Sequence, residues 1–204
     1  ASSLALALYL KGADVCLISS RGHEDLPKEV HIIEAQSSQE MFEYLQESIN
    51  VAKKGIVSST TLMDSSNPTL IQKKPYLFMV AAVSDYLPTS PQSGKLKKSM
   101  LGEKWNLELK QNIDILSSLN RSDIYTIGFK AEMDEKSAYD NAKNMAIEKN
   151  IDAVCLNIID EKNSFGSSSN NIDLIIKNKT TNFSGDKFDI SLNILNRLSS
   201  EFYE

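Results

Sequence analysis

The sequence predicts an α/β fold with a Rossmann-like, mostly parallel sheet that carries helices on both faces. One observation is that short apolar segments alternate with amphipathic segments of helical spacing along most of the chain. A second is that residues 77–83 are apolar without interruption, which is typical of a strand buried on both faces. Two predicted strand pairs, near residues 95–109 and 171–183, would add antiparallel strands to this sheet.

The first predicted elements are two helices and two strands. Residues 1–11 are apolar nearly all round and predict a buried helix that ends at Gly12. Strands are predicted at 14–19 and 30–35, and a helix begins at Ser38 with an acidic residue in its first turn. The apolar stripe of that helix consists of Met41, Phe42, Leu45 and Ile49.

The middle of the chain has a less regular pattern. Residues 55–74 are rich in Ser, Thr and Asn and predict an irregular segment before the strand that begins at Tyr76. Alternating apolar residues predict a half-exposed strand over 104–109, paired with residues 95–98. Asn112 is expected to cap the short helix that follows. The alternating apolar residues are Trp105, Leu107 and Leu109.

The C-terminal part has the clearest alternation of strands and helices. Strands are predicted at 124–130 and 152–157, with a helix over 135–150 between them. Two apolar strands over 172–183 are predicted to form a hairpin that turns at residues 177–179. An amphipathic helix ends the chain, and its apolar residues are Phe188, Leu192, Leu195, Leu198 and Phe202.

The composition narrows the class of protein. The 204 residues are 41% hydrophobic and 24% charged, with a net charge of -5, which is ordinary for a globular domain. This acidic balance argues against a nucleic-acid or anionic-membrane surface, and no apolar run has the length of a membrane span. Cys16 and Cys155 lie in apolar, strand-like segments and are expected to be buried free thiols. We therefore expect a cytoplasmic protein with no nucleic-acid or membrane partner.

The order of the first elements is unusual for this fold class. An α/β unit normally begins with a strand and a phosphate-binding loop, whereas here a helix comes first. We expect residues 1–204 to form a single domain that lacks its N-terminal strand and Gly-rich loop.

The segment most informative about function follows the apolar strand. Asp85 comes directly after it, and ligands of open α/β sheets bind at the carboxyl ends of strands. A loop rich in Pro and Ser that contains Gly94 comes next, and then Lys95, Lys97 and Lys98. A carboxylate followed by a mobile loop with cations suits a site for a nucleotide and its phosphates. The alternative is a turn aspartate beside a solvated lysine edge.

Four short motifs occur in a characteristic order along the chain: AAVSDYLP with GKLKK, then QNIDIL, GFKAE and KNIDAVCLN. In order and spacing they resemble phosphopantothenoylcysteine synthetase, the phosphopantothenate–cysteine ligase of coenzyme A biosynthesis. The resemblance implies a Rossmann-like homodimer. In bacteria this domain is usually the C-terminal half of a bifunctional protein, so FMN is expected only if a flavin-dependent decarboxylase half is attached.

The resemblance also implies a reaction in two steps. The carboxylate of 4'-phosphopantothenate attacks the α-phosphate of a nucleoside triphosphate, which is CTP in typical bacterial members. The amine of L-cysteine then attacks the acyl-cytidylate. Mg²⁺ is expected to accompany the nucleotide, but no metal ligand is assigned. The choice between CTP and ATP stays open, because it depends on main-chain contacts to the base.

Several residues match functional positions of the family. Lys95 matches the first lysine of a K-[IL]-K-K segment and is expected to act in catalysis by closing over the phosphates. Asp85, Phe129 and Lys149 match residues at the nucleotide, and Asn157 matches a residue near the substrate. The other expected nucleotide-binding residues are Met79, Val80, Ala81, Ala82, Asn112, Ile113, Asp114 and Ile115.

Two positions depart from the family pattern. Ile113 stands where the family commonly has proline, so the turn is less strongly preset. Met145 stands where the family has the first of two lysines on a helix. A catalytic asparagine of the family lies in a loop of which only the end, residues 1–3, is represented, so that group is not assigned.

Two other functions are compatible with the topology. A nicotinamide oxidoreductase would need a phosphate-binding glycine loop, but the sequence contains no G-x-G-x-x-G, and a lysine-bearing loop has no role in hydride transfer. A non-catalytic nucleotide-binding or dimerisation module would bind nucleotide without turnover.

Overall fold

The computed structural model describes residues 1–58, 69–71, 73–91, 94, 104–159 and 169–203. The helices of these ranges are α1 (Ser2–Leu10), α2 (Ser38–Ala52), α3 (Ile115–Ser118), α4 (Glu135–Glu148) and α5 (Lys187–Phe202). The strands are β1 (Cys16–Ser19), β2 (His31–Glu34), β3 (Ile56–Ser58), β4 (Thr69–Ile71), β5 (Tyr76–Met79), β6 (Tyr86–Pro88), β7 (Leu109–Gln111), β8 (Tyr125–Glu132), β9 (Ala153–Ile158), β10 (Ser169–Ile176) and β11 (Lys179–Asp186).

A five-stranded sheet forms the centre of the fold, with the strand order β11-β10-β9-β8-β5. The β5–β8 and β8–β9 pairs are parallel, and β10 is antiparallel to both of its neighbours. Four of the five strands therefore run in the same direction, and the predicted mostly parallel sheet is confirmed. The predicted hairpin at the end of the chain is also confirmed, with Lys177 in the left-handed region at its turn.

Helices cover both faces of this sheet, as the alternation along β9 shows. Ala153 and Cys155 pack in a buried cluster with residues of α5, whereas Val154 and Leu156 pack with residues of α4. Successive side chains of a strand point to opposite faces, so the apolar run over residues 153–156 of β9 is required by cover on both sides. The buried residues that α5 contributes are Ile190, Ile194 and Leu198, and those of α4 are Ala138 and Ala142.

The N-terminal helix α1 ends as predicted. Gly12 follows the helix with a φ of 82°, a conformation that glycine adopts without a steric cost. Leu4 and Ala7 pack against Leu195 of α5, which fixes α1 beside the central sheet. Although α1 is apolar, it has nine residues. Within the part of the chain that the structure describes, no helix is both long and apolar enough to cross a membrane.

The prediction that both cysteines are buried is wrong for Cys16. Cys155 is fully buried, but Cys16 is exposed at the start of β1, where its Sγ lies 3.6 Å from Ser48 Oγ. Among the described residues, β1 pairs with β2 alone, in a two-stranded parallel sheet outside the central one. The first residue of this strand is therefore not covered on both sides, which the apolar sequence around it did not reveal.

Three predicted boundaries also need correction. The segment 55–74, predicted to be irregular, contains β3 and β4, which pair antiparallel. The strand predicted over 104–109 is confined to its last residue, because β7 pairs with β6 and residues 104–108 are not in a strand. Its predicted partner, 95–98, lies outside the described residues. The strand predicted over 77–83 ends at Met79, where its ladder with β8 ends.

Candidate functional site

A cleft of about 470 Å³ lies where β5 ends, beside β8 and the last turns of α4. Its walls come from the segment after β5, from the turn between β7 and α3, from β8 and from α4. This is the place at which open α/β sheets bind ligands. The lining residues are Met79, Ala81, Val83, Ser84, Asp85, Tyr86, Gln111, Asn112, Ile113, Asp114, Ile115, Leu116, Phe129, Met145 and Lys149.

Asn112 joins two walls of the cleft through hydrogen bonds. Its main-chain N–H donates to the Asp85 carbonyl at 2.7 Å, and its side-chain Nδ2 donates to the Ser84 carbonyl at 2.8 Å. Its Oδ1 accepts from Ser38 Oγ and from the main-chain N–H of Ile113, each at 2.8 Å. Because both lone pairs of Oδ1 are used within the protein, this atom maintains the shape of the cleft.

Asp114 is the N-cap of α3, so the predicted cap at Asn112 is wrong. The Asp114 carboxylate accepts from the Ser117 N–H at 3.2 Å and from Ser117 Oγ at 2.8 Å, and it pairs with Lys149 Nζ. Asn112 cannot serve as the cap because its Oδ1 bonds to Ser38 and Ile113. Partial burial opposes ionisation of Asp114, but the bonds from Lys149 and Ser117 outweigh it, so the pKa of this carboxyl lies below its ordinary value.

Lys149 brings a cation to the cleft from the end of α4. Its main-chain N–H bonds to the Met145 carbonyl as the C-cap of the helix, and its Nζ reaches Asp114. The ion pair connects α4 to the turn before α3, and about a third of the lysine side chain stays exposed, at 31%. A cation in this position complements the negative end of the helix dipole and can also receive an anionic ligand.

Phe129 and Met145 give the cleft an apolar surface next to these charges. Phe129 is half-buried on β8, immediately after Gly128. A Cβ on Gly128 would lie 2.7 Å from Ile151 Cδ1 and 2.8 Å from Met145 Cε, so the methionine side chain occupies the space above the glycine. Met145 therefore contributes packing where the family pattern has a lysine.

The structure brings together nine of the twelve residues expected at a nucleotide. Val80 packs instead against α1 and α5, and Ala82 is not among the described residues that line the cleft. Asn157 lies on β9 opposite Ala131 and likewise does not line it. Lys95 lies outside the described residues. The nine residues that line the cleft are Met79, Ala81, Asp85, Asn112, Ile113, Asp114, Ile115, Phe129 and Lys149.

Other lining residues were not singled out from the sequence. Ser84 and Tyr86 flank Asp85, so the motif that identified the aspartate could also have identified them. Val83 continues the odd-numbered series of Met79 and Ala81 that faces the cleft. Gln111 and Leu116 are the first and last residues of the QNIDIL motif, so that motif could also have identified them.

The charged side chains of the cleft could meet an anionic group through Lys149 and a cation through Asp85. The carboxylates of Asp85 and Asp114 and the ammonium of Lys149 are the charged groups among the described lining residues. No group of three or more His, Cys, Asp or Glu that could hold a metal ion occurs within the described ranges. One exposed carboxylate such as Asp85 fits Mg²⁺ that is held mainly by phosphate oxygens and water.

These features define an α/β domain with a small-molecule cleft at the carboxyl ends of parallel strands. Residues 2–58 and 50–202 match the family described as the DNA/pantothenate metabolism flavoprotein C-terminal domain. The chain belongs to this family, which confirms the resemblance drawn from the four motifs.

Curated relatives of the chain are coenzyme A biosynthesis bifunctional proteins CoaBC. The chain is 28% identical over 204 residues to the protein of Haemophilus influenzae, covering 98% of this chain and 44% of the relative. It is also 28% identical to the protein of Bacillus subtilis, covering 97% of this chain and 44% of that relative. The chain thus spans less than half the length of these relatives.

Solved structures share the fold. A C-terminal domain of a CoaBC protein superposes with a TM-score of 0.69 at 18% identity, covering 99% of this chain and 81% of that one. A DNA/pantothenate metabolism flavoprotein from Streptococcus pneumoniae has the same TM-score at 19% identity, covering 98% and 84%. A Cab2 variant in complex with phosphopantothenate-cysteine has a TM-score of 0.57 at 14% identity, covering 98% and 76%.

Proposed function

We propose that this chain is a phosphopantothenate–cysteine ligase domain acting in coenzyme A biosynthesis. Family membership and the CoaBC relatives support the pathway, and the Cab2 complex with phosphopantothenate-cysteine supports the kind of substrate. The observation that carries the proposal is the meeting of Asp85, Phe129 and Lys149 in one cleft with the 112–115 turn. Because the proposed substrates are intermediates of the cytoplasm, we place the protein there.

The proposed reaction activates a carboxylate before an amide is formed. A carboxylate oxygen of 4'-phosphopantothenate attacks the α-phosphorus of CTP, and the bond to the β-phosphate oxygen breaks to release pyrophosphate. The amine of L-cysteine then attacks the acyl carbon, CMP leaves with the electron pair of the broken C–O bond, and the amine loses a proton. The nucleotide supplies the leaving group, so the main tasks of the protein are to orient the reactants and stabilise charge.

Each part of the cleft has a role in this proposal. Phe129 and Met145 offer an apolar surface to the base, and polar groups of the 112–115 turn lie beside it. Lys149 offers its ammonium to the phosphates in exchange for part of its pairing with Asp114. Asp85 would hold Mg²⁺ on the nucleotide, and the metal would neutralise phosphate charge. Lys95 is proposed to close over the phosphates as a flexible cation.

A three-substrate assay on the full-length natural protein tests the function. Pyrophosphate release is measured with CTP and Mg²⁺ while 4'-phosphopantothenate or L-cysteine is omitted in turn. We expect release to require phosphopantothenate, and formation of the amide product and CMP to require cysteine as well. The same assay with ATP in place of CTP shows which nucleotide base the protein prefers. Turnover that ignores phosphopantothenate would contradict the proposal, and nucleotide binding without any turnover would favour a non-catalytic module.

We also propose that the β6–β7 region forms a homodimer interface. Large apolar side chains are exposed here, with Tyr86 at 60%, Trp105 and Leu107 at 49% and Leu109 at 50% of their full exposure. Such a concentration of apolar surface on β6, β7 and the segment before β7 is typical of a protein interface. FMN is expected only where a decarboxylase half is joined to this domain, and no step above uses it.

A further inference from the structure

Arg121 connects the two segments that carry the charged pair of the cleft, although it does not line the cleft itself. It lies just after α3, and its guanidinium donates to three main-chain carbonyls. Nε bonds to the Leu116 carbonyl at 2.9 Å, Nη1 to Asn150 at 3.0 Å and Nη2 to Lys149 at 2.5 Å. One side chain thus spans from α3 to the end of α4.

These three carbonyls need a partner for different reasons. Leu116 lies in a helix of four residues, whose last carbonyls have no partner within the helix. Lys149 and Asn150 lie at and just beyond the end of α4, where the helical ladder also ends. A guanidinium presents five N–H donors in a rigid plane and can serve several acceptors at once, which an ammonium at the same place cannot do with the same geometry.

The three hydrogen bonds of Arg121, which we call the clamp, lie close to both members of the Asp114–Lys149 ion pair. Leu116 is two residues from Asp114, and the Lys149 carbonyl belongs to the residue whose Nζ pairs with Asp114. A helix as short as α3 is not stable by itself, so its position depends on contacts outside it. Burial lowers the pKa of the Arg121 guanidinium, while the nearby carboxylates of Asp152 and Asp114 oppose that change.

We propose that Arg121 is a positioning residue of the cleft. It holds the 112–116 segment against the end of α4 so that Asp114 and Lys149 keep the separation at which Lys149 can receive a nucleotide phosphate. The identity of the ligand rests on the function proposed above, whereas the clamp itself rests on the three hydrogen bonds. Because Arg121 does not line the cleft and acts only through main-chain carbonyls, its loss should weaken nucleotide binding more than it slows the chemical steps.

Hydrogen exchange on the full-length unliganded protein tests the clamp without any assumption about the ligand. The reporting amides, which close α3 and α4 by hydrogen bonds, are those of Ser118, Leu119, Lys149, Asn150 and Ile151. In Arg121→Gln we expect these amides to exchange roughly tenfold faster, while amides of α5 keep their rates. Arg197→Gln is the matched control, because Arg197 bonds to Ser200 and Glu201 within α5. Unchanged exchange at the reporting amides of Arg121→Gln would overturn the proposal.

Steady-state kinetics distinguish a positioning role of Arg121 from a merely structural role. For Arg121→Gln we expect KM for CTP to rise about tenfold with kcat within about twofold of wild type, and Arg197→Gln to change neither. Arg121→Lys should resemble Arg121→Gln, because lysine restores the charge but not the planar set of donors. Full rescue by lysine, or a fall in kcat at constant KM, would overturn the positioning role. If the wild type neither binds nor turns over CTP or ATP, the proposed function fails, and hydrogen exchange still decides the clamp.

Discussion

At the scale of single residues, the charged pair of Asp114 and Lys149 and the apolar surface of Phe129 and Met145 determine what the cleft can bind. Lys149 is available to an incoming phosphate, since its pairing with Asp114 is partly exposed and therefore weak in water. Phe129 and Met145 contribute apolar side chains to the lining of the same cleft. In our proposal this cation receives a phosphate of the nucleotide and the apolar residues receive its base.

Asp114→Asn should reveal the pH dependence of this pair, because asparagine keeps an N-cap oxygen and removes the charge. The pKa of Asp114 lies below its ordinary value in the folded protein, so the ionised carboxylate stabilises the fold above that ordinary value of about 3.9. This stabilisation is lost as the pH falls through the lower folded-state pKa. We therefore expect the free energy of unfolding of wild type to exceed that of Asp114→Asn near neutral pH, and the difference to vanish in acid.

Urea denaturation at a series of pH values measures that difference. The difference in the free energy of unfolding should be small, because 44% of the Asp114 side chain is exposed and water screens exposed ion pairs. A difference that grows on acidification would show that Asp114 is not stabilised in its ionised form.

The convergence of Asp85, Phe129 and Lys149 was predicted from their match to functional positions of the family, and for Asp85 also from its place after a strand of an α/β sheet. The sequence did not predict Arg121, because the partners of this side chain are main-chain carbonyls. Such acceptors are present in every residue and leave no pattern in the side chains. The position of Asn112 at the cleft was predicted. Its hydrogen bond with Ser38 could not be predicted, because it joins residues that are far apart in the chain.

At the scale of secondary-structure elements, α4 supports the cleft because it carries both Met145 and Lys149. Ala138 and Ala142 are fully buried against the sheet and hold the helix in place. Its N-terminus is closed by Asp134, whose side chain accepts from the Lys136 N–H at 3.1 Å and from Ser137 Oγ at 2.8 Å. The helix that presents the cation is therefore fixed at its start by a cap and along its length by packing.

Asp134→Ala should destabilise the protein by about 1 kcal/mol, because an N-cap carboxylate that is replaced by alanine leaves helix N–H groups without a partner. Asp140→Ala is the matched control, since Asp140 is exposed in the interior of the same helix, where alanine is favourable. Urea denaturation measures both variants. Equal stability of the two would contradict the role of Asp134 as a cap.

Strands that helices cover on both faces of the sheet were predicted well from the sequence, whereas the short strand pairs were not. The strands β8 and β9 have apolar sequences that follow from packing against helices on two sides. The β3–β4 and β6–β7 pairs each contain three paired positions, and twenty residues separate the end of β6 from the start of β7. Three residues contain too little alternation to indicate a strand, and the choice of a distant partner depends on tertiary packing.

At the scale of the whole molecule, the order of four motifs along the sequence indicated the family to which the chain belongs. The five-stranded sheet with helices on both faces confirms the fold that this family implied. The strand predicted over 104–109 begins only at Leu109, and the exposed Trp105 and Leu107 precede it outside any strand. In our proposal these residues contact a second copy of the chain, which is a property that the sequence of one chain does not specify.

A double variant, Trp105→Ser with Leu107→Ser, should shift the full-length protein from dimer to monomer, since both side chains contribute exposed apolar surface next to β7. Ile147→Ser is the control, because Ile147 is 78% exposed on α4, away from the β6–β7 region. Sedimentation velocity gives the mass of each protein. A wild type that is monomeric, or a double variant that remains dimeric, would contradict the proposed interface.

The central claim is that the cleft binds a nucleotide whose phosphates contact Lys149. Calorimetric titration of CTP with Mg²⁺ into the full-length wild type, Lys149→Met and Lys143→Met tests it most directly, because Lys143 is an exposed lysine of the same helix that does not line the cleft. We predict that Lys149→Met weakens binding by at least about tenfold and that Lys143→Met leaves it unchanged. Equal affinity of Lys149→Met and wild type would contradict the account.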